Sequence, residues 1–584
     1  MIGNLAALRL LIGTAWRVAR RDLLRSLLET TASLSRGVTP WLVAGVVAGI
    51  DQHRQDWLIM ALIGMLLCVF ADWVLRALGA TAHVAMAEKV SFAFERDIAR
   101  AVATRPTLDH FDDPEFADTL QMLTQNQGRI GGGMSGLVHA ADVAAKAAIV
   151  IIIATLVEPR LLLLAVAVVP ALAAARLRLR WTQRGEDESA AAGRLVAHCR
   201  QVVTDPALGM ELRVFGLRRT IAGRLQTAVD RWQRPRLRAT QRNAFLGVGE
   251  EALSTLIVGA TLLWLLFALA DGDATPAVMV AAVVAARQIQ QSLLALIGEG
   301  SGIAETLQYV QRADALNRTA RTTNEPGAST FTQTGIRLVD VSFRYRGATQ
   351  SALQHINLNL VPGQVVAIVG ENGAGKTTLV ELLLGLYRPT AGTIEGTTRN
   401  DHSTATFQDF TRPELTAREA IGLGDPRMIN NTAHIEGAAH AGGAGFVTDL
   451  AEGLSTQLGA SWPGGTDLSG GQWQRVALAR GSMRRNPYLT VLDEPTAALD
   501  AHAEHEIFTR YAAAAATTRQ DGGITILVTH RFSTVKDADT ILVLHQGRLI
   551  EQGSHSDLIN RAGHYARLYR MQQDGYLSDP RRHR

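Results

Sequence analysis

The run WLIMALIGMLLCVFADWVLRALGA, residues 57–80, limits what the first half of this chain can become. About twenty consecutive apolar residues are enough to cross the hydrocarbon of a bilayer as one helix. Five further runs share its character, at residues 27–50, 136–157, 160–175, 252–270 and 277–297. The run at 160–175 is short and contains Pro170, which leaves its ends open. The connections between the runs are of two kinds. DQHRQD, EPR and DGDATP are short and nearly free of Lys and Arg. The other two are long and basic; residues 176–242 carry Arg176, Arg178, Arg180, Arg184, Arg194, Arg213, Arg218, Arg219, Arg231, Arg234, Arg236, Arg238 and Arg242. Arginine-rich loops remain on the cytoplasmic side. The long connections and both termini are therefore expected there, with the spanning helices continuing through the basic segments. Residues 1–320 are expected to form a membrane α-helical bundle of six transmembrane helices. A soluble all-α bundle does not require six such runs with charge on one side only.

Charge and cysteine content exclude other classes. The chain of 584 residues has a formal net charge of +4 and 19 % charged residues, so no surplus for a polyanion appears and nucleic acid is not expected as a partner. Cys68 and Cys199, the only two cysteines, have neither metal-binding nor disulfide-framework spacing. Arg9, Arg17, Arg20, Arg21 and Arg25 are spread through the first stretch rather than placed ahead of an apolar segment. That pattern is not a secretory signal; it is expected to form an amphipathic helix on the cytoplasmic membrane surface.

Residues 321–335 are polar and include Pro326 and Gly327, a linker composition. From residue 336 to 584 the pattern changes to short β-branched runs, glycine turns and helical stretches. VVAIVGENGAGKTTLVELLLG reads as strand, loop and helix, and the loop fits G-x-x-x-x-G-K-[ST] through Gly370, Gly375, Lys376 and Thr377. Glycines let backbone amides wrap phosphate groups, and the positive end of the following helix points at them. Glu371, Asn372, Gly373, Ala374 and Thr378 complete the loop. Lys376 reaches the outer phosphates and the Thr377 hydroxyl suits Mg²⁺. YLTVLDEPTAALD reads as a second strand ending in Asp493, a metal-binding carboxylate, and Glu494, placed to orient or deprotonate an attacking water. ITILVTH ends a third strand at His530, a plausible γ-phosphate sensor.

As a set, these motifs resemble an ATP-binding cassette, and the whole chain resembles an exporter-type ABC half-transporter: a six-helix membrane bundle fused to an α/β P-loop NTPase cassette. GENGAGKTT is similar to the family's Walker A loop, and TFQDF supplies Gln408 at the Q-loop position, a metal and catalytic contact. LSGGQ, formed by Leu468, Ser469, Gly470, Gly471 and Gln472, matches the ABC signature. VLDEP matches Walker B, ALD carries Asp500 at the D-loop, and THR carries His530 at the switch position. Tyr345 in VSFRY occupies the adenine-stacking position. HFDDPEFADTL and ELRVFGL resemble the two coupling helices. One departure stands out: the segment between Walker A and Gln408 is shorter than the family's usual one, so the small β-subdomain is expected to differ in shape.

The resemblance implies ATP and Mg²⁺ as ligands and a second half-transporter chain as partner. In this family the signature turn completes the site of the opposite cassette, so two head-to-tail copies make two whole sites. The intact hydrolytic positions favour a homodimer. The implied activity is ATP-driven export of a small amphiphile, lipid or peptide across a bacterial inner membrane, by alternating access in the lipid bilayer. The alternatives are an importer on the same scaffold or a cassette-gated channel or regulator. No peptidase domain is expected ahead of the first span. Ionisable groups within spans cost about 2.5–3.5 kcal/mol at mid-helix and so tend to be functional. Asp72 and Arg76 stand i, i+4 and are expected to neutralise each other. Arg36, Arg287 and Gln291 are the candidates to line a substrate cavity suited to anionic or carbonyl groups, interhelical hydrogen bonding being the competing use.

Overall fold

A computed structural model describes residues 2–125, 127–159, 161, 166, 168–272, 274–323, 335–396, 402–494, 518–529 and 535–577. The chain packs as two units, Met1–Ala103 with Gln121–Ala320, and Thr104–Leu120 with Arg321–Arg584.

The first unit is helical: α1 (Ile2–Val18), α2 (Arg20–Asp51), α3 (Gln55–Ala103), α4 (Pro114–Gln125, whose first residues pack with the second unit), α5 (Gln127–Val157), α6 (Val168–Thr204), α7 (Pro206–Val214), α8 (Arg218–Ala270) and α9 (Pro276–Thr323). Among the described residues, segments of α3, α5 and α8 are long and apolar enough to cross a membrane. The runs expected at 27–50 and 277–297 lie within the long helices α2 and α9. Part of the run at 160–175 falls outside the described residues, and its end begins α6. With 49, 53 and 48 residues, α3, α8 and α9 exceed a bilayer's needs. At 1.5 Å per residue they extend roughly 70–80 Å, against about 30 Å of hydrocarbon.

Large apolar side chains on α3, including Ile63, Leu66, Leu67, Phe70 and Trp73, face outward. Such a belt is destabilising in water and favourable against lipid. Inside, small residues bring the helices together. Ala282, Ala285 and Ala286 of α9 are buried with Val150 and Ala154 of α5 and Leu265 of α8. A Cβ at Gly131 of α5 would stand 2.1 Å from the Ala87 carbonyl oxygen of α3, so only glycine permits that approach. Along their basic, more polar lengths α6 and α8 pack as a pair, joined by Arg178 to a buried Glu250 at 2.5 Å.

In the second unit, a six-stranded sheet has the order β5 (Ser403–Thr406), β6 (Leu489–Asp493), β7 (Ile524–Val528), β3 (Val365–Gly370), β8 (Thr540–His545), β9 (Arg548–Gly553). Its strands are parallel except for β9, which returns antiparallel to β8. The nearly continuous Val/Ile/Leu runs of β3, β6 and β8 fit strands covered on both faces. A three-stranded antiparallel sheet, β2 (Leu353–Leu360), β1 (Ile336–Phe343), β4 (Ala391–Glu395), shares its core. Among the described residues its α-helices are α10 (Lys376–Leu383), α11 (Ala417–Gly422), α12 (Thr432–Ala441), α13 (Gly470–Gly481), α14 (His555–Asn560) and α15 (His564–Leu577). α11, α12 and α13 make a second core around Trp473 and Ile435. The parallel strands β3 and β6 end side by side with β7 between them, which delivers the phosphate loop and the Asp493–Glu494 pair to one edge.

Candidate nucleotide site

The loop after β3 is shaped by its glycines. Gly370, Gly373 and Gly375 have φ of +155°, +78° and +99°. A Cβ at Gly375 would lie 2.8 Å from the Ala352 carbonyl oxygen, so glycine is demanded twice over, by conformation and by space. Lys376 opens α10, is almost wholly buried, and donates from Nζ to the carbonyls of Gly370 (2.9 Å) and Glu371 (3.1 Å). It thus closes the loop on itself, and burial lowers its pKa against the opposing pull of Glu494 and Asp493. An anion entering the loop would take up the same ammonium.

Asp493, 3 % exposed, ends β6 and accepts from the Thr377 hydroxyl at 3.3 Å. Burial raises its carboxyl pKa to about 6, which the Thr377 bond and Lys376 only partly offset and the Glu494 charge reinforces. A buried carboxylate held beside a hydroxyl, and destabilised for want of positive charge, fits a divalent cation. Glu494 follows in the left-handed region, φ +45°, with its amide donating to the Val528 carbonyl at 3.0 Å. A non-glycine residue there stores strain, and the turn it makes carries Glu494 to the cleft wall.

The cleft measures about 810 Å³ and is lined by Tyr345, Asn372, Gly373, Gly375, Lys376, Thr377, Thr378, Gln408, Asp493 and Glu494, with Ala352. It therefore brings the glycine-rich loop together with Gln408, Asp493 and Glu494, the residues expected to contact nucleotide, metal and water. Tyr345 lines it while its hydroxyl is bound to Thr378 (3.0 Å) and Glu381 (2.7 Å) and its ring meets Phe343 and Tyr387 edge-on. His530 and Asp500 lie outside the described residues.

Leu468–Gln472 contribute nothing to that cleft among its described lining residues. Ser469 instead caps α13 through a reciprocal box: its hydroxyl accepts from the Gln472 amide (3.3 Å) and its amide donates to Gln472 Oε1 (2.9 Å). The box uses the amides of Ser469 and Gln472 and leaves those of Gly470 and Gly471 for an outside acceptor, at an exposed helix start.

Residues 353–497 match the family profile described as ABC transporter. The second half is an ABC transporter cassette. Among curated proteins, it is similar to the nisin transport ATP-binding protein NisT of Lactococcus lactis subsp. lactis, with 36 % identity over 249 residues covering 41 % of this chain and 40 % of that protein. ATP-dependent lipid A-core flippases of Aromatoleum aromaticum (36 % over 250 residues) and Nitrosococcus oceani (39 % over 248) align over 41 % of this chain and 40 % of their own lengths. The alignments thus span two fifths of each of these relatives. Over the whole length, the structure of a bacterial Atm1-family ABC exporter with ATP bound superposes with a TM-score of 0.79 at 23 % identity, covering 95 % of this chain and 99 % of that one. The chain therefore has the ABC exporter fold from its first helices to its cassette, with the apolar helices of the first unit in the place of the exporter's membrane bundle.

The cassette unit also holds a segment whose partners sequence reading left unnamed. Residues 104–120, containing HFDDPEF, pack on the cassette: the Leu108 amide donates to the Leu386 carbonyl at 2.7 Å and Arg346 pairs with Asp113 at 2.7 Å. Leu108 joins the cassette core, and the Tyr387 hydroxyl, pushed up by burial, bonds to Asp112. The second coupling motif forms α7 and the turn after it, where Val214 and Phe215 are exposed.

Within the helical unit, Arg36 does not stand free. Its Nε lies 2.8 Å from Asp72 of α3 and its Nη2 3.7 Å from Asp142 of α5, while Asp72 also holds Arg76. Gln288 of α9 donates to the Arg36 carbonyl at 3.1 Å. Arg36 thus makes interhelical ion pairs, and the expected Asp72–Arg76 pair is part of a network across α2, α3 and α5. Arg287 and Gln291 are exposed on α9.

Proposed function

We propose that this chain is one half of an ATP-driven exporter in a bacterial inner membrane, working as a homodimer with both termini and both cassettes in the cytoplasm. The observation that carries this reading is the division of labour in the cassette. Among the described residues, the cleft gathers Gly373, Gly375, Lys376, Thr377, Gln408, Asp493 and Glu494, while the LSGGQ turn stands elsewhere with two helix amides unspent. A second copy, head to tail, supplies that turn to each cleft.

In this reading Lys376 leaves the Gly370 and Glu371 carbonyls for the β- and γ-phosphates of ATP, and the loop amides bind the same oxygens. Thr377 and Asp493 would hold Mg²⁺, which would supply charge neutralisation on the phosphates. Glu494 takes the proton of the attacking water and Gln408 contacts metal and water; the resemblance assigns His530 to the switch role and Asp500 to the D-loop. Ser469, Gly470 and Gly471 of the other copy bind the γ-phosphate. ATP thereby favours the closed cassette pair over the open one by the interactions that only closure makes. Loss of that phosphate releases them. Residues 104–120 carry the motion to the membrane helices through Leu108 and Asp113.

The cargo is a small amphiphile, a lipid or a peptide, the classes to which the names of the flippase and nisin-transport relatives belong. Arg287 and Gln291 face it. Reconstitution into vesicles with outward-facing cassettes tests the whole reading: ATP should drive labelled lipid or peptide into the lumen. ATP hydrolysis without accumulation of any such cargo would favour a gated channel or regulator, and efflux from the lumen would favour an importer.

A further inference from the structure

Beside the phosphate loop, three side chains that do not line the nucleotide cleft converge. His545 ends β8, His564 opens α15, and Glu371 follows Gly370 in the loop. One donor atom from each lies within 4.8 Å of the other two. His545 Nδ1 stands 3.9 Å from Glu371 Oε2, beyond hydrogen-bond reach, and the two rings lie 4.8 Å apart at 50°. His545 Nδ1 and His564 Nε2 are both shielded from solvent and both lack a hydrogen-bond partner. Two imidazoles would ordinarily hydrogen-bond to the nearest carboxylate or to water; here two lone nitrogens and a carboxylate oxygen surround a common point.

We infer that His545, His564 and Glu371 form a divalent transition-metal site, taking Zn²⁺ with water in the fourth position. Two imidazoles and one carboxylate are a zinc ligand set, and tetrahedral zinc with bonds of about 2.0–2.1 Å needs its donors about 3.3–3.4 Å apart. Closing from 3.9–4.8 Å requires sub-ångström shifts at each donor, and Glu371, the most exposed of the three at 57 %, provides them by rotation. The frame around the donors is already fixed. The Gly547 amide, two residues past His545, donates to the Ala374 carbonyl at 3.1 Å, which ties the β8–β9 turn to the phosphate loop. Both carboxylate oxygens of Glu551 accept from the first amides of α15, at His564 (2.5 Å) and Tyr565 (2.9 Å), so the backbone of His564 is anchored. The metal would join three segments far apart in sequence and clip α15 to the loop.

One neighbour opposes binding. The exposed Arg567 approaches His564 Nδ1 at 3.5 Å through Nη2, a contact that leaves the proton on Nε2. A metal on Nε2 requires the reverse tautomer, with Nδ1 protonated and free to donate. Arg567 must swing away, and a glutamine there could accept from Nδ1–H instead.

The test uses the full chain, purified without a histidine tag, stripped with a chelator and kept free of nucleotide. Zn²⁺ is titrated by competition with a chromophoric chelator, and Co²⁺ by its visible spectrum. The expected result is one site per chain at about micromolar affinity or tighter, with the intense tetrahedral Co²⁺ bands and a rise in thermal midpoint on Zn²⁺ addition. His564→Gln and His545→Gln should each weaken binding by at least about tenfold, and Arg567→Gln should tighten it. An octahedral Co²⁺ spectrum in the unaltered protein, or Zn²⁺ affinity unmoved in the His545→Gln/His564→Gln double variant, overturns the inference. The Co²⁺ spectrum needs no variant, so it decides even if a substitution harms folding.

Discussion

The cassette contains two glycine-rich turns that each open a helix, and they are finished in opposite ways. At α10 the turn is closed: Gly375 is wedged against the Ala352 carbonyl, and Lys376 is folded onto the loop's own oxygens. At α13 the turn is open: Ser469 and Gln472 satisfy each other and the glycine amides face out. Both helix starts favour an anion, but only the first stands in a cleft with a metal-binding acid. A helix N-terminus alone stabilises charge by about 0.3–1 kcal/mol at an exposed position, too little to hold a nucleotide. On the proposed reading the open turn acts when brought against another copy's cleft, whereas the closed one is shaped within its own chain.

That comparison is broken or sharpened most sharply by mixing variants. Lys376→Ala and Ser469→Arg should each lose ATPase activity by about 10²–10³-fold as pure preparations, by removing one phosphate contact or blocking the turn. Co-expressed, they should recover roughly a quarter of the normal rate, because half the dimers are mixed and each mixed dimer keeps one whole site of two. Single-chain sites would give no recovery at all. Glu494→Gln should lose turnover by about 10²–10⁴-fold yet still bind ATP, and size-exclusion chromatography should find it as a stable closed dimer with ATP present.

The next effect in size concerns the closed turn's metal end. Asp493 is a carboxyl raised to about 6 by burial, so its ionised form is the costly one in the folded chain. Its ionisation weakens the apo fold as pH climbs from the unfolded-state value near 4 to about 6, and a cation relieves that cost. Below about pH 6 Mg²⁺ must displace a proton, so apparent Mg²⁺ affinity should fall up to about tenfold per pH unit, measured with Mn²⁺ as a paramagnetic probe. In Asp493→Asn the pH dependence should vanish together with tight binding. A flat profile in the unaltered protein would mean that the carboxylate already has its charge compensated.

How much of this was legible in the letters differs between the halves for a physical reason. Phosphate and metal chemistry require particular atoms at fixed spacing, so Gly375, Lys376, Thr377, Gln408, Asp493 and Glu494 were readable and come together around one cleft. Membrane-crossing character depends on length and apolarity, so the long helices of the first unit were readable as well. Partners of polar residues between helices were not, because i, i+4 spacing sees only one helix. Asp72 and Arg76 looked self-contained, but Arg36 and Asp142 approach from α2 and α5. The segment at 104–120 was legible by resemblance, but its grip on Leu386 and Arg346 was not, and neither was the meeting of His545 and His564 with Glu371, since contacts between distant segments leave no local pattern.

The network at Arg36 gives a smaller prediction. Asp72→Asn removes the carboxylate that holds Arg76 and leaves Arg36 with Asp142 at 3.7 Å; it should cost about 1–2 kcal/mol, read as a lower thermal midpoint in detergent, with Asp72→Glu nearly neutral. If midpoint and ATPase both stay put while cargo stimulation falls, Arg36 serves the cargo after all, and the two halves are less different than they look.

Arg287 carries the smallest expected effect and the finest distinction. It is exposed on α9, four residues before Gln291 and one before Gln288, which donates to the Arg36 carbonyl. A side chain that only solvates itself contributes little to stability, so Arg287→Ala should leave the midpoint and the basal ATPase within about twofold. A guanidinium facing a cargo with anionic or carbonyl groups loses charge-assisted hydrogen bonds of about 1.5–3 kcal/mol when removed. That loss should appear only in the cargo concentration needed for half-maximal stimulation, raised roughly tenfold or more, with Arg287→Lys intermediate because a point charge replaces a planar fork. Unchanged stimulation in Arg287→Ala would remove Arg287 from the cargo path and leave α9 contributing only its alanine packing against α5 and α8.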